Sequence, residues 1–165
     1  MKLAVIIPVY NAENTIRKAV KSIDTTHDVE IICINDGSTD RTKQVLTELQ
    51  KEVKHLIVYH QDNQGAAKSR NMGLSAMSDD IDAFMFLDAD DQFLPGKMDQ
   101  MIQYYEKNEH LDIVIGQIGR GLNGDWKVIP THEDIHREAI VSLAEAPEIL
   151  QSIGPGGKLF KAKFN

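Results

Sequence analysis

The sequence has 165 residues with 18 basic and 25 acidic side chains, which gives a net charge of -7 at pH 7. This length fits one domain whose core needs no disulfide or metal, and the excess of negative charge disfavours a nucleic-acid partner and favours recruitment of a cation before an anionic ligand. The hydrophobic fraction of 42% argues against disorder, and no apolar stretch approaches the roughly 20 residues that span a bilayer.

Four apolar runs predict four buried strands in the first part of the chain. Each run is short and is followed by polar turn residues, which is typical of a strand in a parallel sheet. The predicted strands cover residues 3–7, with Pro8 as the stop, 29–34, 56–59 and 83–87.

Helical patterns follow these strands. Apolar residues recur at positions i, i+3, i+4 and i+7, the spacing of a helix that turns one face toward a core. Ser38 or Thr39 is placed to cap the second helix. The alternation predicts an α/β fold, a three-layer α/β/α domain with a mostly parallel, Rossmann-like central sheet. The predicted inward positions are Ile16, Ala19, Val20 and Ile23, then Val45, Leu46, Leu49 and Val53, and then Met98, Met101, Ile102 and Tyr105, with a small-residue helix over 66–77.

The later part of the chain has a weaker pattern. Asn123-Gly124 between the apolar segments 113–118 and 126–129 predicts a β-hairpin rather than another crossover. We expect one domain over residues 1–165. The other expected elements are a helix near 143–153, a glycine-rich loop over 154–157 and a short apolar tail.

Three carboxylates follow the fourth predicted strand directly: Asp88, Asp90 and Asp91. If the extended backbone continues, Asp88 and Asp90 share a face about 7 Å apart. Such hard oxygen ligands suit Mg²⁺ or Mn²⁺, with substrate phosphates completing the shell. An acidic turn without any ligand is the alternative. A calcium loop is disfavoured because Phe93 and Asp99 stand where that loop needs glycine and glutamate.

Ligands of open parallel sheets bind outside the carboxyl ends of the strands. This rule gathers polar residues that are far apart in sequence on one rim of the predicted sheet. The rim comprises residues 8–11, 36–40, 62–70 and 88–91.

Two catalogued patterns are weighed against this rim. Residues 119–124 match G-x-G-x-x-G, but residues 125–130 cannot open the helix that would hold a pyrophosphate. His132-Glu133 and His136 match the H-E-x-x-H pattern of zinc peptidases. A solvated helix start explains this pattern better, since Asp134 is charged and no third ligand is marked. The zinc peptidase is kept as a remote alternative.

The single cysteine, Cys33, lies inside an apolar run and cannot support a disulfide framework. It is expected to pack as a small hydrophobic residue in a reducing compartment. We therefore expect a cytoplasmic protein, with a peripheral position at the inner face of the membrane as an option.

Four motifs at successive strand ends resemble those of family 2 glycosyltransferases with the GT-A fold, and the resemblance covers nearly the whole chain. It implies transfer of a sugar from a nucleotide diphosphate sugar, typically a UDP-sugar, to an acceptor hydroxyl with inversion. It also implies Mn²⁺ or Mg²⁺, a glycan or lipid-linked acceptor, and a role in cell-surface polysaccharide or glycoconjugate synthesis. The motifs are Pro8-Val9-Tyr10-Asn11, Asn35-Asp36-Gly37-Ser38-Thr39-Asp40, Asn63-Gln64-Gly65 with Arg70-Asn71-Met72-Gly73, and Leu87-Asp88-Ala89-Asp90-Asp91.

The resemblance also implies roles for individual residues. A nucleotide base would be held by Pro8, Tyr10 and Asp36, with Glu13 as a neighbour. A tyrosine ring can stack on a base, and a carboxylate can accept the imide N–H of uracil. The remaining implied donor-site residues are Arg70 near the base or phosphates, Asp88 near the ribose and also on the metal, Ala89 beside the nucleotide sugar, and Asp90 on the metal. Taken alone, Arg70 could equally be a surface helix charge.

The catalytic base is not identified among these motifs. Residues 154–160 resemble the segment that precedes an acidic motif carrying the base in many family members. We therefore expect the base beyond Asn165 and a chain truncated on its acceptor-binding side, with Asp91 as the candidate inside the chain. The competing hypothesis is a non-catalytic module that binds a sugar nucleotide or another partner.

Overall fold

The computed structural model describes residues 1–108, 110–122, 125–128, 139–142, 144 and 156–163. The hypothesised helix near 143–153 and the H-E-x-x-H pattern at 132–136 lie outside the described residues, apart from the exposed turn residue 144. None of the described helices has the length and apolar character needed to cross a bilayer. The elements are β1 (Lys2–Val9), α1 (Ile16–Lys21), β2 (Asp28–Asp36), α2 (Thr42–Glu52), β3 (Leu56–Gln61), α3 (Ala66–Ala76), β4 (Ala83–Phe86), α4 (Lys97–Lys107), β5 (Ile113–Ile115), β6 (Gly119–Leu122), β7 (Asp125–Val128) and β8 (Lys158–Lys161).

Six of the strands form one sheet in the order β3-β2-β1-β4-β8-β5. The pairs β1–β2, β1–β4 and β2–β3 are parallel, and β8 runs antiparallel to both of its neighbours. The prediction of a mostly parallel α/β sheet is therefore confirmed. The carboxyl ends of the first four strands face the same rim.

Helices cover both faces of the sheet, which confirms the predicted three layers. One face carries Ile6, Ile32, Ile34 and Phe86, and residues of α3 pack against it. The other face packs against α1, α2 and α4 through the predicted inward positions. Alternation of side chains along β1 explains the division, because consecutive residues of a strand point to opposite faces.

Helix α3 lies close to the sheet because Gly73 leaves room for β1. A Cβ atom at Gly73 would come within 2.3 Å of the Ile6 Cγ2 atom. The absence of a side chain at this position therefore sets the depth at which α3 packs.

Two predictions are wrong, one about the end of β1 and one about the cap of α2. Pro8 does not stop β1 but lies inside it, paired with Ile34. The Ile6 carbonyl accepts a hydrogen bond from Leu87, on the β4 side. The backbone nitrogen of Pro8, two residues further on, faces the same side, where β4 has already ended. The absence of an N–H in proline therefore removes no hydrogen bond between β1 and β4.

The N-cap residue of α2 is Arg41 rather than Ser38 or Thr39, and the carboxylate of the preceding residue, Asp40, accepts an N–H of the first turn. The Thr42 N–H donates to the Asp40 carboxylate over 2.9 Å. Ser38 instead accepts the Asn11 N–H over 3.0 Å, and Thr39 donates its N–H to Asn11. These two residues therefore join loops rather than cap a helix.

The later strands differ in detail from the prediction. A hairpin is confirmed as the antiparallel pair β6–β7, but its first strand covers residues 119–122 rather than the predicted 113–118. Within 113–118, only residues 113–115 form a strand, β5. The expected apolar tail contains β8, which inserts between β4 and β5. Residues 125–128, directly after the G-x-G-x-x-G pattern, form β7 and not the start of a helix, as argued from sequence.

Candidate nucleotide-sugar site

A cavity of about 440 Å³ opens at the carboxyl ends of β1, β2 and β4. It gathers side chains from three strand ends and from α3, as expected for a sheet of this topology. Seven of the predicted donor-site residues line it, whereas Glu13 and Asp91 do not. The lining residues are Pro8, Val9, Tyr10, Asn11, Ala12, Thr15, Asp36, Ala66, Ser69, Arg70, Asp88, Ala89 and Asp90.

Asp36 ends β2 and lies at the base of the cavity, with only 3% of its surface exposed. Its Oδ1 accepts hydrogen bonds from the Gln61 side-chain amide (2.6 Å) and the Gln64 N–H (2.8 Å), and its Oδ2 accepts the Gly65 N–H (2.8 Å). Burial alone would raise the pKa of Asp36. The hydrogen bonds from Gln61, Gln64 and Gly65 together lower it by more than burial raises it, so the pKa of Asp36 lies below its usual value. The carboxylate thus fixes the turn that leads into α3.

Gln61 and Ser69 support this carboxylate. Gln61 is the cross-strand partner of Asp36, and its amide also donates to the Ser69 hydroxyl over 3.1 Å. Sequence reasoning singled out neither residue, although Ser69 falls within the segment 62–70 of the predicted rim. No local pattern marks them, because their role depends on strand register and on how α3 packs.

The loop after β1 carries Tyr10 to the mouth of the cavity, where 53% of its surface is exposed. The next residue, Asn11, adopts a left-handed conformation with φ 46°. Its N–H donates to Ser38, and its side-chain oxygen accepts the Thr39 N–H over 2.8 Å. Asparagine tolerates this conformation better than most residues, so Asn11 turns the chain while joining the loops after β1 and β2.

Glu13 does not line the cavity. Its carboxylate accepts hydrogen bonds from the backbone N–H (2.9 Å) and the side-chain Nε (3.3 Å) of Arg41. Its own N–H donates to Asp40 over 3.2 Å. Glu13 therefore holds the loops after β1 and β2 together and does not line the site expected for the nucleotide base.

Asp88 and Arg70 form an ion pair across the cavity. The Arg70 Nη2 atom donates to Asp88 Oδ1 over 2.6 Å, with 22% and 43% of the two side chains exposed. The guanidinium also lies 6.0 Å from the centre of the Phe86 ring. The sequence predicted both residues at this rim but not their direct contact.

Asp90 and Asp91 continue past the end of β4 and are exposed. The Asp91 N–H donates to the Asp88 carbonyl, which makes a tight turn. Surrounding protein raises the pKa of Asp91, and the negative charges of Asp90 and Asp88 raise it further. The turn is thus a place of concentrated negative charge.

The carboxylate oxygens at this turn suit Mg²⁺ or Mn²⁺ that is also bound by a phosphate. In the described part of the chain, no three acidic, histidine or cysteine side chains converge on a preformed metal site. Mg²⁺ commonly takes one or two carboxylates and completes its shell with substrate phosphates and water. Asp88 and Asp90 supply carboxylates of the right kind, and the fit therefore requires a phosphate ligand.

A larger cavity of about 590 Å³ lies at the opposite, amino-terminal end of the parallel strands. Charged groups there are engaged locally: Asp82 accepts the Lys2 N–H over 2.7 Å, and Lys163 donates to the Asp79 carbonyl. The parallel strands β1 and β4 begin at this cavity, and the antiparallel β8 ends there with Lys161. The size of this cavity alone does not outweigh the converging polar groups at the other rim.

Residues 4–158 match the family described as Glycosyl transferase family 2. Among curated proteins, TagX of Staphylococcus aureus strain MRSA252, named as a glycosyltransferase, is 39% identical over 99% of this chain and 48% of its own length. The glycosyltransferase GlyA of Streptococcus pneumoniae is 38% identical over 70% of this chain and 16% of its own length. The chain thus spans at most about half the length of these curated relatives.

Solved structures show the same fold. The crystal structure of S. aureus TarS residues 1–349 in complex with UDP-GlcNAc superposes with a TM-score of 0.80 and 24% identity, over 98% of this chain and 46% of that chain. The mannosyltransferase PcManGT from Pyrobaculum calidifontis, in complex with GDP-Man and Mn²⁺, gives a TM-score of 0.63 and 17% identity over 72% of this chain and 35% of that chain.

Proposed function

The chain belongs to glycosyltransferase family 2, and we propose that it binds the nucleotide diphosphate sugar donor of an inverting glycosyltransferase. The observation that carries this proposal is the cavity at the strand ends, where an exposed aromatic ring, an arginine and three carboxylates converge. Few other ligands need a stacking surface, hydrogen-bond acceptors, a positive charge and cation ligands within one site of this size.

The base is proposed to lie between Tyr10 and Asp36. The Tyr10 ring is exposed at the mouth and can stack on any base, whereas Asp36 can accept an N–H from a uracil ring. UDP-sugars are the proposed donors. The UDP-GlcNAc complex of TarS and the GDP-Man complex of PcManGT make both nucleotides the natural test ligands.

The diphosphate is proposed to lie toward Arg70, Asp88, Ala89 and Asp90. A divalent cation held by Asp88 and Asp90 would neutralise the charge that develops on the departing diphosphate. Arg70 supplies a permanent positive charge and N–H donors on the same side of the cavity. The chain's own residues thereby orient the donor for a single displacement at its anomeric carbon.

Transfer also needs a base for the acceptor hydroxyl, and we propose that donor binding and transfer are separable. Asp36 holds the turn before α3, Asp88 pairs with Arg70, and Asp90 is assigned to the cation. Asp91 is the remaining acidic residue at this turn, it is exposed, and a carboxylate can accept the proton of an acceptor hydroxyl. Turnover by this chain that is lost in Asp91→Asn, with binding retained, would assign the base to Asp91.

The donor proposal is tested by calorimetric titration of UDP-GlcNAc, GDP-mannose and the free diphosphates, with Mn²⁺ or with EDTA. We expect one uridine or guanosine donor to bind with Mn²⁺ and to bind much more weakly with EDTA or in Asp90→Asn. Asp28→Asn, an exposed carboxylate at the far end of β2, is the matched control. Equal affinity with Mn²⁺ and EDTA would refute the metal assignment.

A non-catalytic module that retains the sheet is the competing hypothesis. Such a module need not bind any nucleotide, so failure of every nucleotide in the titration would favour it. We also propose a cytoplasmic location and a role in cell-surface glycan synthesis, in line with the family resemblance. A glycan or lipid-linked acceptor is proposed from the family resemblance.

A further inference from the structure

Arg70 is held in the cavity by few contacts. Its Nη2 atom donates to Asp88 Oδ1 over 2.6 Å, and its guanidinium lies beside the Phe86 ring. Its Nε atom is buried and has no hydrogen-bond partner in the described part of the chain. The ion pair with Asp88 and the Phe86 ring are the contacts named for the guanidinium, and its remaining N–H groups can still donate hydrogen bonds to a ligand.

The ion pair occupies the carboxylate that a divalent cation would use. The guanidinium of arginine carries a permanent positive charge, so a cation that approaches Asp88 Oδ1 meets this charge at contact distance. Asp90 is exposed and offers one further carboxylate. Without a nucleotide, the guanidinium therefore repels a cation at this site, and the two carboxylates do not complete the cation's set of ligands.

A diphosphate would reverse this balance. Its oxygens can accept hydrogen bonds from the guanidinium and at the same time bind the cation, which releases the demand on Asp88. We propose that Arg70 neutralises Asp88 in the free protein, so that a divalent cation binds tightly only together with a diphosphate. This inference rests on the proposed donor-binding function and adds the order of binding and the residue that imposes it.

The test measures Mn²⁺ binding to the nucleotide-free protein by electron paramagnetic resonance of free Mn²⁺. Removing the charge in Arg70→Gln should tighten Mn²⁺ binding by roughly tenfold, since a like charge at contact distance is removed from the site. Arg70→Lys keeps the charge and should leave Mn²⁺ binding weak. Lys68→Gln removes one positive charge from the exposed face of the same helix and should also leave it weak.

Addition of UDP should tighten Mn²⁺ binding to the wild type more than to Arg70→Gln, because only the wild type has an ion pair to release. Asp88→Asn introduced into Arg70→Gln should abolish the gain if the effect acts through Asp88. Unchanged Mn²⁺ affinity in Arg70→Gln, or an equal gain in Lys68→Gln, would overturn the inference.

The outcome is distinguishable from failure of the donor-binding proposal. Tighter Mn²⁺ binding by Arg70→Gln, together with no binding of any nucleotide by the wild type, would support the ion-pair effect and refute donor binding. Arg70→Met, which keeps an apolar stem beside Phe86, serves as the second variant if Arg70→Gln fails to fold. Circular dichroism and urea unfolding establish that each variant is folded before Mn²⁺ is added.

Discussion

Asp36 and Gln61 face each other at the last position of the β2–β3 ladder, and the Gln61 side-chain amide donates to Asp36 Oδ1 over 2.6 Å. The same carboxylate accepts two backbone N–H groups at the turn before α3. The buried Asp36 side chain thus contacts the neighbouring strand, holds the turn before α3 and lines the cavity.

Asp36→Asn should destabilise the protein by about 1–3 kcal/mol, because an amide has one acceptor oxygen and turns its NH₂ group toward a backbone donor. Donor binding should fall as well, since the turn before α3 would be displaced. The measurement is urea unfolding at pH 7 with calorimetric titration of UDP-GlcNAc. Asp62→Asn, an exposed carboxylate next to the same turn, should change neither quantity.

The stabilising effect of Asp36 should disappear in acid. The pKa of Asp36 is lowered in the folded state, so its contribution is present above the unfolded-chain value of about 3.9 and is lost as the pH falls through the folded pKa. The difference in urea midpoint between wild type and Asp36→Asn should therefore shrink between pH 7 and pH 3. A constant difference would contradict this linkage.

Gly73→Ala should destabilise the protein by about 1–3 kcal/mol because its Cβ atom would overlap Ile6. Ser75→Ala, at an exposed position of α3, is the control. The double variant Gly73→Ala with Ile6→Ala should be less destabilised than the sum of the two single variants, because removal of the Ile6 branches relieves the overlap. Strict additivity would show that the two positions do not interact.

Asn11→Ala should cost about 1–2 kcal/mol of stability, because alanine is strained in the left-handed conformation. Asn11→Gly removes the same hydrogen bond to Thr39 but relieves that strain, so it should be the more stable variant. Thermal and urea unfolding of the pair separate the two contributions. Equal stability of the two variants would mean that the hydrogen bond, not the backbone, determines the loop.

Tyr10→Ala should weaken binding of a nucleotide sugar by about 1–3 kcal/mol, the range for loss of a stacked aromatic ring. Tyr10→Phe should retain most of the affinity, because stacking needs the ring rather than the hydroxyl. Tyr59→Ala, at an exposed tyrosine of β3, controls for loss of a surface ring. A large loss in Tyr10→Phe would instead assign a hydrogen-bonding role to the hydroxyl.

The sequence was sufficient for those parts of the fold that depend on local periodicity. Strands β1 to β4 and the helices between them follow from apolar spacing, and the rim follows from the general rule for parallel sheets. Ile23 and Val53 lie beyond the ends of α1 and α2, yet both still pack against the core. The periodic pattern therefore reported burial more reliably than helix boundaries.

What the sequence could not provide depends on contacts between distant residues. Strand β8 has two apolar residues between lysines, too few to predict a strand, and it is recognisable only because Leu159 is buried between β4 and β5. The Arg70–Asp88 pair likewise depends on how α3 lies across the strand ends. Glu13 was predicted beside the nucleotide base, but its carboxylate accepts a hydrogen bond from Arg41 and it does not line the cavity.

Strand β8 also imposes an order on assembly during synthesis. Strand β5 joins the sheet through β8, which emerges from the ribosome much later. Until then, the edge of β4 has no neighbour on that side, and the Phe84 ring lacks the Phe160 ring that stacks on it at 5.2 Å in the finished sheet. An unpaired apolar strand edge is a template for pairing with another chain. Before β8 is synthesised, this edge of β4 is therefore open to pairing with another chain, and pairing with β8 closes it.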